Sequence, residues 1–181
     1  MDRETGLGGG VRLLKNVLRR EHHNYSAGEE RPLVGYAASL TAFGAYTAGW
    51  AALVRRSGRP LPSRPDPRDL VMISAATFRL SRLLSKGSVT SPLRAPFTEF
   101  EGPAGPAELS EKSRGEGPKE AVGELLTCPF CLSVWVVTTL TAAQLIWPRA
   151  TRTATGALTA LAAADTMQLA YSTLVGKATK A

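Results

Sequence analysis

The chain of 181 residues has room for one domain and shows no internal repeat that would mark a solenoid. Its mean hydropathy of -0.06 suits a soluble protein, but the apolar residues are segregated into long blocks between charged connectors, and the blocks outweigh the mean. Lys and Arg number 22 against 15 Asp and Glu, a net charge of +7 that borders the apolar blocks and so points to a membrane surface and away from nucleic acid. Two cysteines spaced C-x-x-C exclude a disulfide-stapled secreted scaffold, and the polar, glycine-rich Met1 to Gly10 predicts no cleavable signal peptide.

Residues 1–32 read as a basic amphipathic segment. In Val11 to Arg20 (VRLLKNVLRR) the apolar Val11, Leu13, Leu14, Val17 and Leu18 fall on one arc of a helix, and Arg12, Lys15, Arg19 and Arg20 on the other. Such a helix either lies on anionic lipid or packs on protein.

Residues 33–181 read as a transmembrane helical domain, all-α, an integral membrane bundle of three to four transmembrane helices with a long polar loop rich in Pro and Gly. The first span, about 33–54, is 22 residues without a charge, closed by Arg55 and Arg56, which at about 1.5 Å per residue crosses a hydrocarbon core. Gly35, Ser39, Ala42, Ala45 and Gly49 offer small residues for close helix approach. Ser57 to Arg68 (SGRPLPSRPDPR), with four prolines, is a stiff basic connector. The second span, about 70–84, is only 15 residues long and contains Arg79 and Arg82, followed by Lys86. It spans with its arginine face against protein or lies at the interface; spanning is the reading adopted.

The polar loop 85–124 opens with the tight-turn sequence Ser91-Pro92-Leu93-Arg94-Ala95-Pro96-Phe97, and its charged second part is expected to be mobile. A third span, about 125–148, is uncharged, and a fourth, about 154–176, is broken by one charge, Asp165. With four spans, 13 Lys and Arg lie on the side of the termini and loop and 7 on the other, which puts both termini and loop 85–124 in the cytoplasm.

Few residues suit chemistry. Cys128-Pro129-Phe130-Cys131 opens the third span with Thr127 or Cys128 placed to cap it and Pro129 suited to the first turn, where a helix N-terminus would stabilise a thiolate. The tetrapeptide resembles the active site of glutaredoxins and the cysteine pair that opens a membrane helix in quinone-linked thiol oxidoreductases. No second cysteine pair exists to relay electrons, and the cytoplasm would keep this one reduced. Zinc needs four ligands, and besides Cys128 and Cys131 only His22 and His23 are on offer, about a hundred residues away. Three roles stay open for the pair: structural or interaction, metal-binding, and redox. Asp165, inside an apolar helix, is expected to pair with Arg79 or Arg82, as a lock on helix register or as part of a proton path. There is no Ser-His-Asp set, no H-E-x-x-H and no phosphate loop, so the reading leans away from an enzyme and expects no cofactor.

The stretch TFRLSRLLSKGSVTSPLRAPFTEFEGPAG, then GELLTCPFCLSVW and ADTMQLAY, resembles the small bacterial membrane proteins of unknown function typified by YngL, over about Leu70 to Tyr171. The resemblance implies a bacterial membrane protein and carries over no activity. The expectation is a multi-pass protein of the bacterial plasma membrane that presents loop 85–124 and the CPFC motif to a protein partner or to a second copy of itself. A membrane thiol-disulfide oxidoreductase and a zinc-stabilised adaptor are the alternatives.

Overall fold

The computed structural model describes residues 32–179 and the single position Asn16. The amphipathic segment expected over Val11 to Arg20, with His22 and His23, lies outside the described residues apart from Asn16. In chain order the elements are α1 (Leu33–Arg56), α2 (Pro67–Lys86), a 3-10 turn (Ser88–Thr90), α3 (Ser91–Arg94), β1 (Thr98–Gly105), β2 (Glu108–Ser113), α4 (Pro118–Thr127), α5 (Pro129–Ile146) and α6 (Pro148–Ala178).

Side-chain contacts fix the helix directions. Phe43 stacks edge-on against Trp135 at 5.1 Å and the Tyr46 hydroxyl bonds Thr139, so α1 and α5 run parallel. Asp69 with Arg152, Met72 with Thr159 and Arg79 with Asp165 rise together, so α2 and α6 are parallel. Gln144 donates to Asp69, while Val136 and Leu140 reach Ile73 and Ala76 further along α2, so α2 and α5 are antiparallel. All four long helices therefore run between the same two ends. The start of α1, the end of α2, the start of α5 and the end of α6 share one of them.

Packing is sparse and partly polar. The core is Ile73, Ala76, Val136 and Leu140, with Leu80, Leu84 and Leu158 against it. Beside it Ser81, Ser85 and Thr155 are buried, each hydroxyl donating to a carbonyl of its own helix. Self-satisfied hydroxyls of this kind let helix backbones come close without leaving a polar group bare. In α1 the stripe that meets protein is aromatic: Tyr36, Phe43 and Tyr46, with Trp50 edge-on to Tyr46. Of the small residues expected to bring a helix close, Gly35 does so, since a Cβ there would be 2.6 Å from that of Ala121, whereas Gly49 has open space.

Among the described residues two helices, α1 and α5, are long and apolar enough to cross a membrane by length and composition, while α2 and α6 are long enough but carry Arg79, Arg82 and Asp165. Two expectations are corrected. The third apolar block is two helices, because Cys128 adopts an extended conformation (φ -99°, ψ 107°) between α4 and α5. The residue before a proline is pushed out of the helical region, and Pro129 follows. The fold is not all-α, and loop 85–124 is not a featureless connector: a 3-10 turn, α3, the antiparallel hairpin β1–β2 and the body of α4 occupy it. The hairpin lacks the usual signature because its two-residue loop is Pro106-Ala107, with Ala107 at φ +59° where Gly or Asn is normal. Ser88 holds that turn, its N–H and hydroxyl both donating to the Ala107 carbonyl at 3.1 Å.

Candidate functional site

The end of α2 gathers a cluster of ordered polar groups. A helix leaves its last four carbonyls without partners, and here side chains from the following turn reach them. Thr90 Oγ1 donates to Leu83 O at 2.5 Å and contacts Gly87 O at 2.9 Å. Arg94 Nη1 donates to Leu84 O at 2.7 Å and to Thr90 Oγ1 at 2.8 Å, and Nη2 donates to Gly87 O at 3.0 Å. Its Nε meets Glu111 Oε2 of β2 at 2.5 Å, with 1% of the Arg94 side chain and 5% of the Glu111 side chain exposed. A planar guanidinium with five donors can satisfy several carbonyls and a carboxylate together, which a lysine cannot.

The rest of the turn sequence serves this knot. Ser91 and Pro92 start α3, which presents Arg94 from a single turn. The Pro96 carbonyl accepts from Arg114 Nη2 at 3.2 Å, and the Phe97 carbonyl from the Arg114 N–H at 2.8 Å, tying the turn to the strand end. Gly123 of α4 backs onto the same spot, where a Cβ would lie 2.6 Å from Phe97 O and 2.8 Å from Ser113 Cβ. Sequence reasoning singled out Ser91, Pro92, Arg94, Pro96 and Phe97 as a motif but missed Glu111, one acid among many in a polar stretch. It also missed Glu108, which takes Arg82 in a two-pronged contact, Nε to Oε1 at 2.9 Å and Nη2 to Oε2 at 2.5 Å.

Asp165 lies 2.5 Å from Arg79 Nε, in an ion pair whose angle leaves that N–H without a linear hydrogen bond. The structure therefore brings Asp165 to Arg79 and turns Arg82 toward the hairpin. At the far end of the bundle Asp69, just before the apolar stretch of α2, accepts from Arg152 Nε at 3.0 Å, Arg152 Nη2 at 2.7 Å and Gln144 at 2.9 Å. The Arg152 guanidinium holds the Asp69 carboxyl below the ordinary carboxylate range, with Gln144 adding to the effect.

Cys128 is the N-cap of α5, its Sγ accepting from the Cys131 N–H at 3.2 Å, the role that Ser or Asp usually fills. Pro129 occupies the first turn, Cys131 is exposed, and Phe130 between them is 83% exposed. Both thiols are free, and among the described residues no group of three or more His, Cys, Asp and Glu side chains could hold a metal ion.

The family model described as "Protein of unknown function (DUF1360)" matches residues 72–171. The chain belongs to the DUF1360 family. The matched region of this DUF1360 protein runs from α2 through the Arg94 knot and the CPFC turn into α6, and leaves out α1 and the Pro-rich connector. The sporulation protein YjcA of Bacillus subtilis (strain 168) is 36% identical to it over 84 residues, 45% of this chain and 71% of that protein. No solved structure matches.

Proposed function

We propose that this DUF1360 protein is a multi-pass membrane protein that uses the cap built on Arg94 as a docking platform for a protein partner. The observation that carries the membrane half is the inverted distribution of polarity. Among the described residues six apolar side chains besides Pro32 are buried, against seven polar or charged ones. Large apolar residues face outward along every long helix, including Leu40 and Leu53 of α1, Val71 and Phe78 of α2, Val134 and Val137 of α5, and Leu161 and Leu169 of α6. A monomer in water does not leave so much apolar surface bare, whereas lipid covers it without cost. The shared direction of the four long helices supports a reading in which all four cross, with the Arg79–Asp165 pair turned toward protein.

A docking role for the cap is favoured over chemistry by how its polar groups are spent. Arg94, Glu111, Thr90 and Arg82 are consumed by contacts within the knot, and Val89, Leu93 and Phe100, the last 66% exposed, face outward beside the exposed Glu99–Lys112 pair. Internally satisfied polar groups beneath exposed apolar ones make a rigid surface for recognition. Membranes from expressing cells, washed with alkaline carbonate and then with high salt, should retain the protein; its release into the supernatant would sink the membrane reading. Site-specific photo-crosslinking from Leu93 and Phe100 should trap a discrete protein adduct, and crosslinks to lipid alone would end the platform reading.

A further inference from the structure

The end of the bundle opposite the hairpin is almost entirely positive. Arg55 and Arg56 close α1, Arg59, Arg64 and Arg68 follow, and Arg149 and Arg152 open α6, against only Asp66 and Asp69 among the described residues. Both acids are committed. Asp66 caps α2 by accepting from the Arg68 N–H at 2.9 Å, and Asp69 is held by Arg152 and Gln144. Among the described residues none of Arg55, Arg56, Arg59, Arg64, Arg68 and Arg149 has an ion-pair partner. Two of these free guanidiniums, Arg59 and Arg149, line one concavity with Trp147, Pro148 and Ala150.

We infer that this concavity seats the headgroup of an anionic phospholipid, with the phosphate between Arg59 and Arg149 and the first carbons of the glycerol and acyl chains against Trp147 and Pro148. The inference rests on the membrane reading and adds a ligand to it. Guanidinium forks match phosphate oxygens, and an indole at the end of an apolar helix belongs at headgroup depth. Trp147 is 55% exposed at the junction of α5 and α6, so its ring is free to meet such a ligand. The apolar walls are what select a lipid: a free phosphate ion would gain from the two arginines and nothing from Trp147.

Native mass spectrometry of the full chain in detergent micelles, with dioleoyl phosphatidylglycerol or dioleoyl phosphatidylcholine added at equal mole fraction, tests it. Phosphatidylglycerol should be retained about fivefold better or more, the size that one or two arginines near a headgroup supply. In Arg59→Gln/Arg149→Gln the two lipids should be retained alike, while Arg59→Lys/Arg149→Lys should keep part of the preference. Both arginines are exposed and unpaired, so thermal unfolding of the variants should match the parent. Equal retention of the two lipids by the unaltered chain, or a preference that survives the glutamine pair, overturns the inference. Inorganic phosphate competing as well as phosphatidylglycerol does so too, because the apolar wall would then contribute nothing. The carbonate wash, which decides the membrane reading, is a separate measurement and fails separately.

Discussion

Arg94 and Glu111 close an ion pair across the junction of α2 and the hairpin, Nε to Oε2 at 2.5 Å, and both side chains are almost entirely buried. The same guanidinium caps Leu84 O and Gly87 O, so Arg94→Gln removes the charge facing Glu111 and two hydrogen bonds to helix-end carbonyls together. Breaking a buried pair from one side costs about 3 to 5 kcal/mol. Arg94→Gln should therefore lower the thermal unfolding midpoint in detergent and open 98–113 to protease. Arg94→Gln/Glu111→Gln should be milder than Arg94→Gln alone. Unchanged protease resistance of the hairpin in Arg94→Gln would mean that the knot does not hold it.

Legibility from sequence followed charge and proline more than pattern. The charge-free run from Leu33 and the Pro129 start signal marked α1 and the beginning of α5, because lipid-length apolar blocks and fixed φ angles leave direct traces in composition. The hairpin left none. Its strands TEFEGPAG and ELSEKS bury little on either face, so no alternation of apolar and polar residues arises, and its turn places Ala107 where Gly is expected. Arg94 was visible only as part of a turn sequence. Its partners Leu84, Gly87, Thr90 and Glu111 are assembled by a chain reversal that one-dimensional spacing does not encode.

Gly123 gives a test of the cap that leaves charge alone. With a Cβ at that position 2.6 Å from Phe97 O and 2.8 Å from Ser113 Cβ, Gly123→Ala forces α4 away from the turn and the end of the hairpin. Overpacking of this kind costs roughly 1 to 3 kcal/mol. Gly49→Ala in α1, where open space surrounds the site, should leave the unfolding midpoint unchanged or raised. Equal effects of the two substitutions would contradict the packing of α4 on the turn.

The Asp69 pair predicts a pH dependence with a definite sign. Its carboxyl is held below its ordinary value, chiefly by the hydrogen bond from Arg152, so the folded state keeps Asp69 ionised where the unfolded chain would protonate it. The resulting stabilisation is in full force above the unfolded value and is lost as pH falls through the lower folded one. The difference in unfolding midpoint between the parent and Asp69→Asn should accordingly be largest near neutral pH and shrink below about pH 4. A difference that persists at full size in acid would show that Asp69 acts through packing and not through its charge.

On the proposed reading with four crossing helices, the 13 to 7 distribution of Lys and Arg would put loop 85–124 in the cytoplasm. In a background lacking Cys128 and Cys131, a cysteine introduced at the exposed Glu116, between β2 and α4, should resist an impermeant maleimide in intact cells and react after lysis. One placed at the exposed Ser63, in the Pro-rich connector, should react in intact cells. The reverse pattern would invert the protein in the membrane, and equal labelling of both positions would mean that α2 does not cross.

Arg79 and Asp165 bring the sharpest distinction, because Arg79 and Arg82 of α2 are given different partners. Each charge is expensive alone in an apolar setting, and the pair shares that cost. Asp165 is about a third exposed and Arg79 has a long stem on which to snorkel, so the loss from a single substitution falls below that of a fully buried pair. A double-mutant cycle on detergent-solubilised thermal stability isolates the coupling. Arg79→Gln and Asp165→Asn should be non-additive, with a coupling of about 0.5 to 3 kcal/mol, the range for residues in contact. Arg82→Gln should be additive with Asp165→Asn and non-additive with Glu108→Gln, since Arg82 Nε and Nη2 grip the Glu108 carboxylate. Coupling of Arg82 to Asp165 would require α2 to be rotated so that Arg82, and not Arg79, faces α6. Additivity of both arginines with Asp165 would free that carboxylate from its structural role and recommend it as a proton-binding group.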